Sequence, residues 1–417
     1  MNILHFISLS IIGGIERQFQ RLITHFDSHR LDYPGISHSV LSYHPRIHED
    51  IRDTVYSACR NVHIFKKVFP DVLFPPLVRT KRVTDIIKAH NYDVLITTSM
   101  LRNRIQKKVI SNFSGLNVFY DKGWCTSADP REDLGMFDVF IANSSSTKCT
   151  LLKKFDIDPG IIHVLPNSFP AAFPFIDRDQ ARKAVRKRFG IGTADTLVLG
   201  LGRFRFLKGF TVLVEAMRAI RDPSVKCILA GTGKSEHTVR ELIASYGLTD
   251  RVICAGHTDN PEEFYAASDM FVLPSCREPF GIVLLEAGIS RIPVIANNID
   301  GVGTTIPDER FGFLLPPEKS PSDFTYIPAG SIPETVYYPD RDELAAPLFP
   351  NPEKLAETVM YVIDHPDEAV KKSERLYERI DSSFSTERYT ENLHSILSMR
   401  IREKEKKDRI NEHRNPA

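Results

Sequence analysis

A chain of 417 residues exceeds what one compact core organises, so its length predicts two or three domains, each large enough to bury a core. With 42% hydrophobic and 26% charged residues the composition excludes wholesale disorder. The formal net charge is +1, and residues 1–165 carry five more basic than acidic side chains while the remainder carries four fewer. Such a small bias suits a phosphorylated ligand or anionic surface and excludes a nucleic-acid partner.

The six cysteines, Cys59, Cys125, Cys149, Cys227, Cys254 and Cys276, show neither Cys-x-x-Cys nor zinc-ligand spacing, which reads as the reduced thiols of a cytosolic protein. No run approaches the ~18 apolar residues of a membrane span. The opening "MNILHFISLSIIGG" lacks an early basic residue and a small-residue cleavage pattern, so it reads as a buried strand entering a glycine turn. A cytoplasmic protein, soluble or peripheral at the inner face of a membrane, is expected.

Short apolar runs alternate with amphipathic stretches, the pattern of parallel α/β architecture. In the first half the predicted strands are 2–7, 36–43, 93–98, 117–120 and 137–143. "PNSFPAAFPF" (166–175) breaks the pattern and reads as a linker over 166–177 between a domain at 1–165 and one at 178–383. The second series has strands at 196–202, 226–231, 251–256, 269–275 and 292–297. Its helix at 209–220 places Phe210, Leu213, Val214 and Met217 on one face. Two Rossmann-like, doubly wound domains facing a central ligand cleft are expected. Residues 318–350, with six prolines and three tyrosines, read as a long insertion loop. Residues 384–417 read as a C-terminal helix whose charged end is solvated and frays.

Several motifs are decoys. "ILAGTGKS" (228–235) has Ile228 where a triphosphate-binding loop needs its first glycine, so the loop is too short. "GLGRFR" (200–205) has Arg205 where a dinucleotide fingerprint needs its third glycine. The triplets Asp156/Asp158, Asp177/Asp179 and Asp340/Asp342 do not end apolar strands and read as solvated, not as a metal site.

"LGRFRFLKGF" (201–210) is different. Arg203 follows a strand and Lys208 precedes a helix, an electropositive combination suited to phosphate oxygens. Further along, "REPFGIVLLEA" sets Glu278 and Glu286 eight positions apart around Phe280, Gly281 and Ile282. Glutamates are rarely buried without partners, and ionised carboxylates accept strong hydrogen bonds from hydroxyls.

These stretches, with "LAGTGKSEHTVRELIASYGLTDRVICAG" between them, resemble the C-terminal domain of retaining GT-B glycosyltransferases of the family-four, or group 1, type. "SIIGGIERQF" (10–19) resembles that family's N-terminal glycine turn followed by Glu-Arg. "FDVFIANSSSTKCTLLKKFDIDPGIIHVLPNSF" resembles its last N-domain strand and lead-in to the hinge. The resemblance implies transfer of a sugar, with retained anomeric configuration, from a nucleoside diphosphate to a hydroxyl of a glycan or lipid-linked acceptor. Surface polysaccharide or lipopolysaccharide synthesis is the implied setting. It implies donor contacts at Gly13, Gly14, Arg203, Lys208, His257, Glu278, Phe280, Gly281, Ile282 and Glu286. Glu278 would hold the donor sugar and Glu286 the ribose. Arg203, Lys208, Glu278 and Asp121 would serve the reacting centre. The nucleotide sugar is a co-substrate, and neither metal nor cofactor is called for. The C-terminal helix would return to the first domain.

The chain also departs from the pattern. Where relatives carry His, or Glu-His-Gly, it has Asp121, Lys122, Gly123 and Trp124, so Asp121, Lys122 and Trp124 are the acceptor-side candidates. "DGVGT" (300–304) replaces a frequent Gly-Gly-x-Pro-Glu loop. The basic, apolar segment 65–82 suits docking to an anionic membrane surface, or an ordinary surface helix. A GT-B epimerase or hydrolase, turning over donor without acceptor, and a non-catalytic nucleotide-sugar scaffold are the competing readings.

Overall fold

The computed structural model describes the whole chain except Ile12, Tyr43, Pro45 and residues 65–66, 70–71, 74–75, 99–103, 124–130, 170–176 and 415–417. The chain divides into two compact units, Met1–Pro170 with Ser385–Ala417, and Ala171–Phe384. Among the described residues no helix is long and apolar enough to cross a membrane.

The first unit is built on a seven-stranded parallel sheet. Its spatial order is Val62–Ile64, Ser37–Ser42, Asn2–Ile7, Val94–Thr98, Leu116–Asp121, Val139–Ala142 and Ile162–Val164. Alternate side chains of these strands go to opposite faces. Leu4, Phe6, Leu95, Phe119 and Phe140 pack on one side. Ile3, Val94, Ile96, Val118 and Ile141 pack on the other, against Tyr389, Leu393 and Leu397 of the helix Thr386–Arg414. Those three helix residues recur every four positions, one stripe of the surface. Both faces are therefore covered, which is why most of the strands are rich in apolar residues on both sides.

The second unit repeats the plan with six parallel strands. Their order is Val252–Gly256, Val225–Ala230, Thr196–Leu201, Met270–Leu273, Val294–Asn297 and Phe313–Leu315. Val198, Leu229, Val272 and Ile295 pack against Leu213, Val214 and Met217 of the helix Phe210–Ala219 and Leu355 and Val359 of Pro352–Asp364. Strand order reverses between Thr196–Leu201 and Met270–Leu273. At such a switch point the loops leaving two strands diverge and open a crevice at their carboxyl ends.

Residues 318–350 are not a structureless loop. Pro317–Lys319 pairs with Phe349–Pro350, and Val336–Tyr338 with Glu343–Ala345, both antiparallel. Phe324 and Phe349 are buried with Val212 and Cys276, and Val336 and Tyr338 with Ile299. The apolar residues that showed no period in sequence are two small clusters that anchor an ordered insertion.

Candidate functional site

In the second unit the predicted residues lie on loops that follow the carboxyl ends of neighbouring strands. The strand Thr196–Leu201 leads to Arg203, then to a single 3-10 turn, Phe206–Lys208. Gly209 follows with φ 68°, and a Cβ there would lie 2.2 Å from the Pro274 carbonyl oxygen. This glycine lets the turn carrying Lys208 press against the loop carrying Glu278. The Cys276 N–H donates to the Leu207 carbonyl at 3.0 Å and ties the same two loops. Lys208 Nζ then donates to Glu278 Oε2 as an ion pair. Glu278 is 7% exposed, so its carboxylate depends on this partner.

Gly281 has φ 84° and caps the helix Ile282–Ile289, which carries Glu286 on its second turn. Gly288 lets this helix approach Pro366–Ser383 closely, since a Cβ there would meet Ile380 and Leu376. Glu286 Oε2 accepts from the Tyr265 hydroxyl at 3.0 Å. Tyr265 is wholly buried, and burial, with the carboxylate beside it, pushes its hydroxyl well above the usual range, so it remains a donor. Phe280 is buried, with its ring 6.2 Å from Phe384.

Arg203 is exposed at the strand's end. His257, which follows Val252–Gly256, is also exposed and meets Asp259 Oδ1 at 3.2 Å. The structure thus joins Lys208 with Glu278 directly, and sets Arg203 and His257 along the same edge of the sheet. The Gly-Thr-Gly decoy has its own explanation. A Cβ on Gly231 would lie 1.9 Å from the Gly202 carbonyl oxygen, and one on Gly233 2.4 Å from that of Phe204. These glycines let two neighbouring loops touch, with the Phe204 N–H donating to the Thr232 carbonyl at 2.9 Å.

The remaining candidates lie in the first unit. Gly13 is the extended N-cap of the helix Gly14–Ser28. Asp121 ends the strand Leu116–Asp121, is 1% exposed, and its Oδ1 accepts from the Gly123 N–H at 2.8 Å. Lys122 is also buried: its Nζ donates to Asn167 Oδ1 at 2.7 Å and sits 3.5 Å from the centre of the Tyr120 ring. Burial drives its pKa well below the usual lysine value, and Asp121 opposes this. Trp124 lies outside the described residues, as do the linker residues 170–176 and most side chains of 65–82.

The aspartate triplets serve as caps and turn residues. Asp158 and Asp177 accept from the backbone N–H groups of Gly160 and Gln180, and Asp156 is a left-handed helix C-cap. Asp340 accepts from the Asn298 side chain.

Three residues of the site escaped the sequence reading: Tyr265, Arg277 and Asp300. Tyr265 sits in "EEFYAASDM", where an aromatic on a helix reads as core. Arg277 and Asp300 meet through Arg277 Nε and Asp300 Oδ2, 3.4 Å apart, across 23 residues of chain that no spacing rule connects.

Two doubly wound Rossmann-like domains are the architecture of the GT-B fold class. Residues 181–325, within the second unit, match the model of the family described as glycosyl transferases group 1. D-inositol 3-phosphate glycosyltransferase of Xylanimonas cellulosilytica is 31% identical over 186 residues, 43% of this chain and 45% of the relative. The match therefore spans less than half the length of that curated relative. A glycosyltransferase of Rickettsia africae superposes with a TM-score of 0.75 at 20% identity, covering 96% of this chain and 98% of the other. Anabaena Alr3699/HepE, solved with UDP and glucose, gives 0.70 at 16% identity over 96% and 100%.

Proposed function

We infer that the protein transfers a sugar from a nucleoside diphosphate to a hydroxyl of a glycan or lipid-linked acceptor, with retention of anomeric configuration. The observation that carries this reading is the Lys208–Glu278 ion pair, built at the switch point beside the N-terminus of the helix bearing Glu286. Its cation suits diphosphate oxygens and its carboxylate suits sugar hydroxyls. Glu286, oriented by Tyr265, receives the ribose hydroxyls.

Negative charge grows on the departing diphosphate as the glycosidic bond breaks. Lys208 and Arg203 stabilise that charge together with the positive end of the helix beginning at Ile282. No step is assigned to a metal ion or to a protein nucleophile. In the retaining scheme the leaving phosphate oxygen accepts the acceptor's proton. Asp121 and Lys122 are buried, so their contribution on the acceptor side is to hold the carboxyl end of their strand in shape. Synthesis of surface polysaccharide or lipopolysaccharide, at the cytoplasmic face of a membrane, is the setting this reading favours.

The test is a transfer assay with a panel of nucleotide sugars and glycan or lipid acceptors, with products analysed by mass spectrometry and NMR. The expected product keeps the donor's anomeric configuration. Donor turnover that needs no acceptor would replace the reading with an epimerase or hydrolase.

A further inference from the structure

Asp300 occupies an expensive position. Its φ of 57° is in the left-handed region, and its side chain is 0% exposed. A buried charge at a backbone angle that costs most residues energy is retained only when its surroundings compensate it. Two contacts to this carboxylate come from the loop that carries Glu278. The Glu278 N–H donates to Asp300 Oδ2 at 3.0 Å, and Arg277 Nε approaches the same oxygen.

The next residue completes the grip. The Gly301 N–H donates to the Glu278 carbonyl at 2.8 Å, and a Cβ at Gly301 would lie 2.0 Å from the Pro279 carbonyl oxygen. The Glu278 backbone is thus held at both its N–H and its C=O by consecutive residues of one tight turn. That turn is itself braced. The Asp300 N–H donates to the Tyr337 carbonyl at 2.7 Å, and Ile299 is buried with Val336 and Tyr338 of the insertion hairpin. A path of short contacts runs from the insertion, through Asp300, to the backbone of Glu278.

We propose that Asp300 is a positioning residue: its carboxylate fixes the Glu278 backbone so that the Glu278 side chain meets both Lys208 and the donor sugar. This rests on the proposed donor role of Glu278. It assigns work to a side chain that does not touch substrate, and gives the insertion a mechanical part in donor recognition.

Two variants test it. Asp300→Gly removes the carboxylate and suits the backbone angle. Asp300→Asn keeps an oxygen acceptor for the Glu278 N–H and also tolerates a left-handed φ. Hydrogen–deuterium exchange at the Glu278 amide reads the contact without reference to activity. Kinetics with the nucleotide sugar, and calorimetry with UDP, GDP and ADP, read its consequence. In Asp300→Gly the amide should exchange about tenfold faster and kcat/KM for the nucleotide sugar should fall about tenfold, the scale of one lost hydrogen bond to a buried charge. Nucleoside diphosphate binding should stay within about threefold, and Asp300→Asn should restore most of both losses. Unchanged exchange at the Glu278 amide would overturn the proposal. So would an equal loss of nucleoside diphosphate binding and transfer, which marks a purely structural residue. If the wild type transfers no sugar, the functional reading fails while the exchange data still decide whether Asp300 holds Glu278.

Discussion

The hydroxyl of Tyr265, on a wholly buried ring, donates to Glu286 Oε2 at 3.0 Å. This contact fixes the rotamer of a glutamate whose partner in the reaction is proposed to be a ribose. Tyr265→Phe keeps the packing and removes a hydroxyl that faces both Glu286 Oε2 and, at 3.3 Å, the Val283 carbonyl, a loss of about 1 kcal/mol. The expected result is a donor KM raised about fivefold with kcat little changed, because a ribose contact is made equally in ground and transition states. Steady-state kinetics with varied donor would check it.

Lys208 and Glu278 form a pair in which neither member is well solvated. Lys208→Met leaves a buried carboxylate without its cation, and breaking such a pair costs about 3–5 kcal/mol. Transfer should fall at least ~100-fold, the scale of losing one preorganised charge-stabilising group. Adding Glu278→Gln removes the orphaned charge. The double variant should therefore recover most of the lost melting temperature and none of the lost activity, which separates stability from chemistry.

A row of three buried histidines gives the first unit a pH dependence. His5 Nε2 meets His38 Nδ1 at 2.8 Å, and His38 Nε2 meets His394 Nε2 at 3.0 Å. Burial, aided by the neighbouring histidines, lowers His5 to about 3 and His38 well below the usual value. Burial, with His25 and the N-terminus, lowers His394 to about 4. Unfolded, all three titrate near 6.5. Below that pH the unfolded chain binds protons that the folded one refuses, so stability is intact above 6.5 and is lost as pH falls toward about 4. Melting temperatures measured from pH 7.5 to 4.5 should drop through this window. The drop should be shallower in His394→Gln, which loses one of the three titrating rings.

Lys122 extends the same trend to alkaline pH. Its pKa is lowered by burial, so the unfolded chain holds this proton more tightly than the folded one. Its contribution to stability therefore increases as pH rises toward the unfolded lysine value, about 10.4. Lys122→Met fills similar volume without a charge to bury. Urea unfolding at pH 7 and pH 10 should show the variant at least as stable as wild type at pH 7, with the difference narrowing at pH 10.

The parts of the fold legible in sequence were those governed by burial on both faces. Runs such as Asn2–Ile7 and Thr196–Leu201 are mostly apolar and appear in the structure at the expected positions. Val62–Ile64, Ile162–Val164 and Phe313–Leu315 are three residues each, too short for any period to register. The insertion escaped for a related reason: Phe324, Val336 and Phe349 are buried by contacts far along the chain, not by local repetition. At the candidate site, Lys208 and Glu278, which the structure joins as an ion pair, stood out in sequence because a cation before a helix and a carboxylate beside a glycine cap are local signals. Asp300 and Tyr265 were not, because each acts through a contact about 20 residues away. Lys122 shows the limit at strand ends. A polar residue there reads as facing a ligand, whereas this one turns inward onto the Tyr120 ring.

The proposed nucleotide-sugar site of the second unit rests on Lys208, Glu278 and Glu286. Its most direct test is a thermal-shift panel of UDP-, GDP-, ADP- and CMP-sugars on the wild type and Glu286→Ala. A ligand at about 100 times its Kd stabilises by roughly 2.7 kcal/mol, an easily measured shift. At least one nucleotide sugar should raise the wild-type Tm, and Glu286→Ala should lose most of that shift. An equal shift in both proteins, or none with any donor, would contradict it.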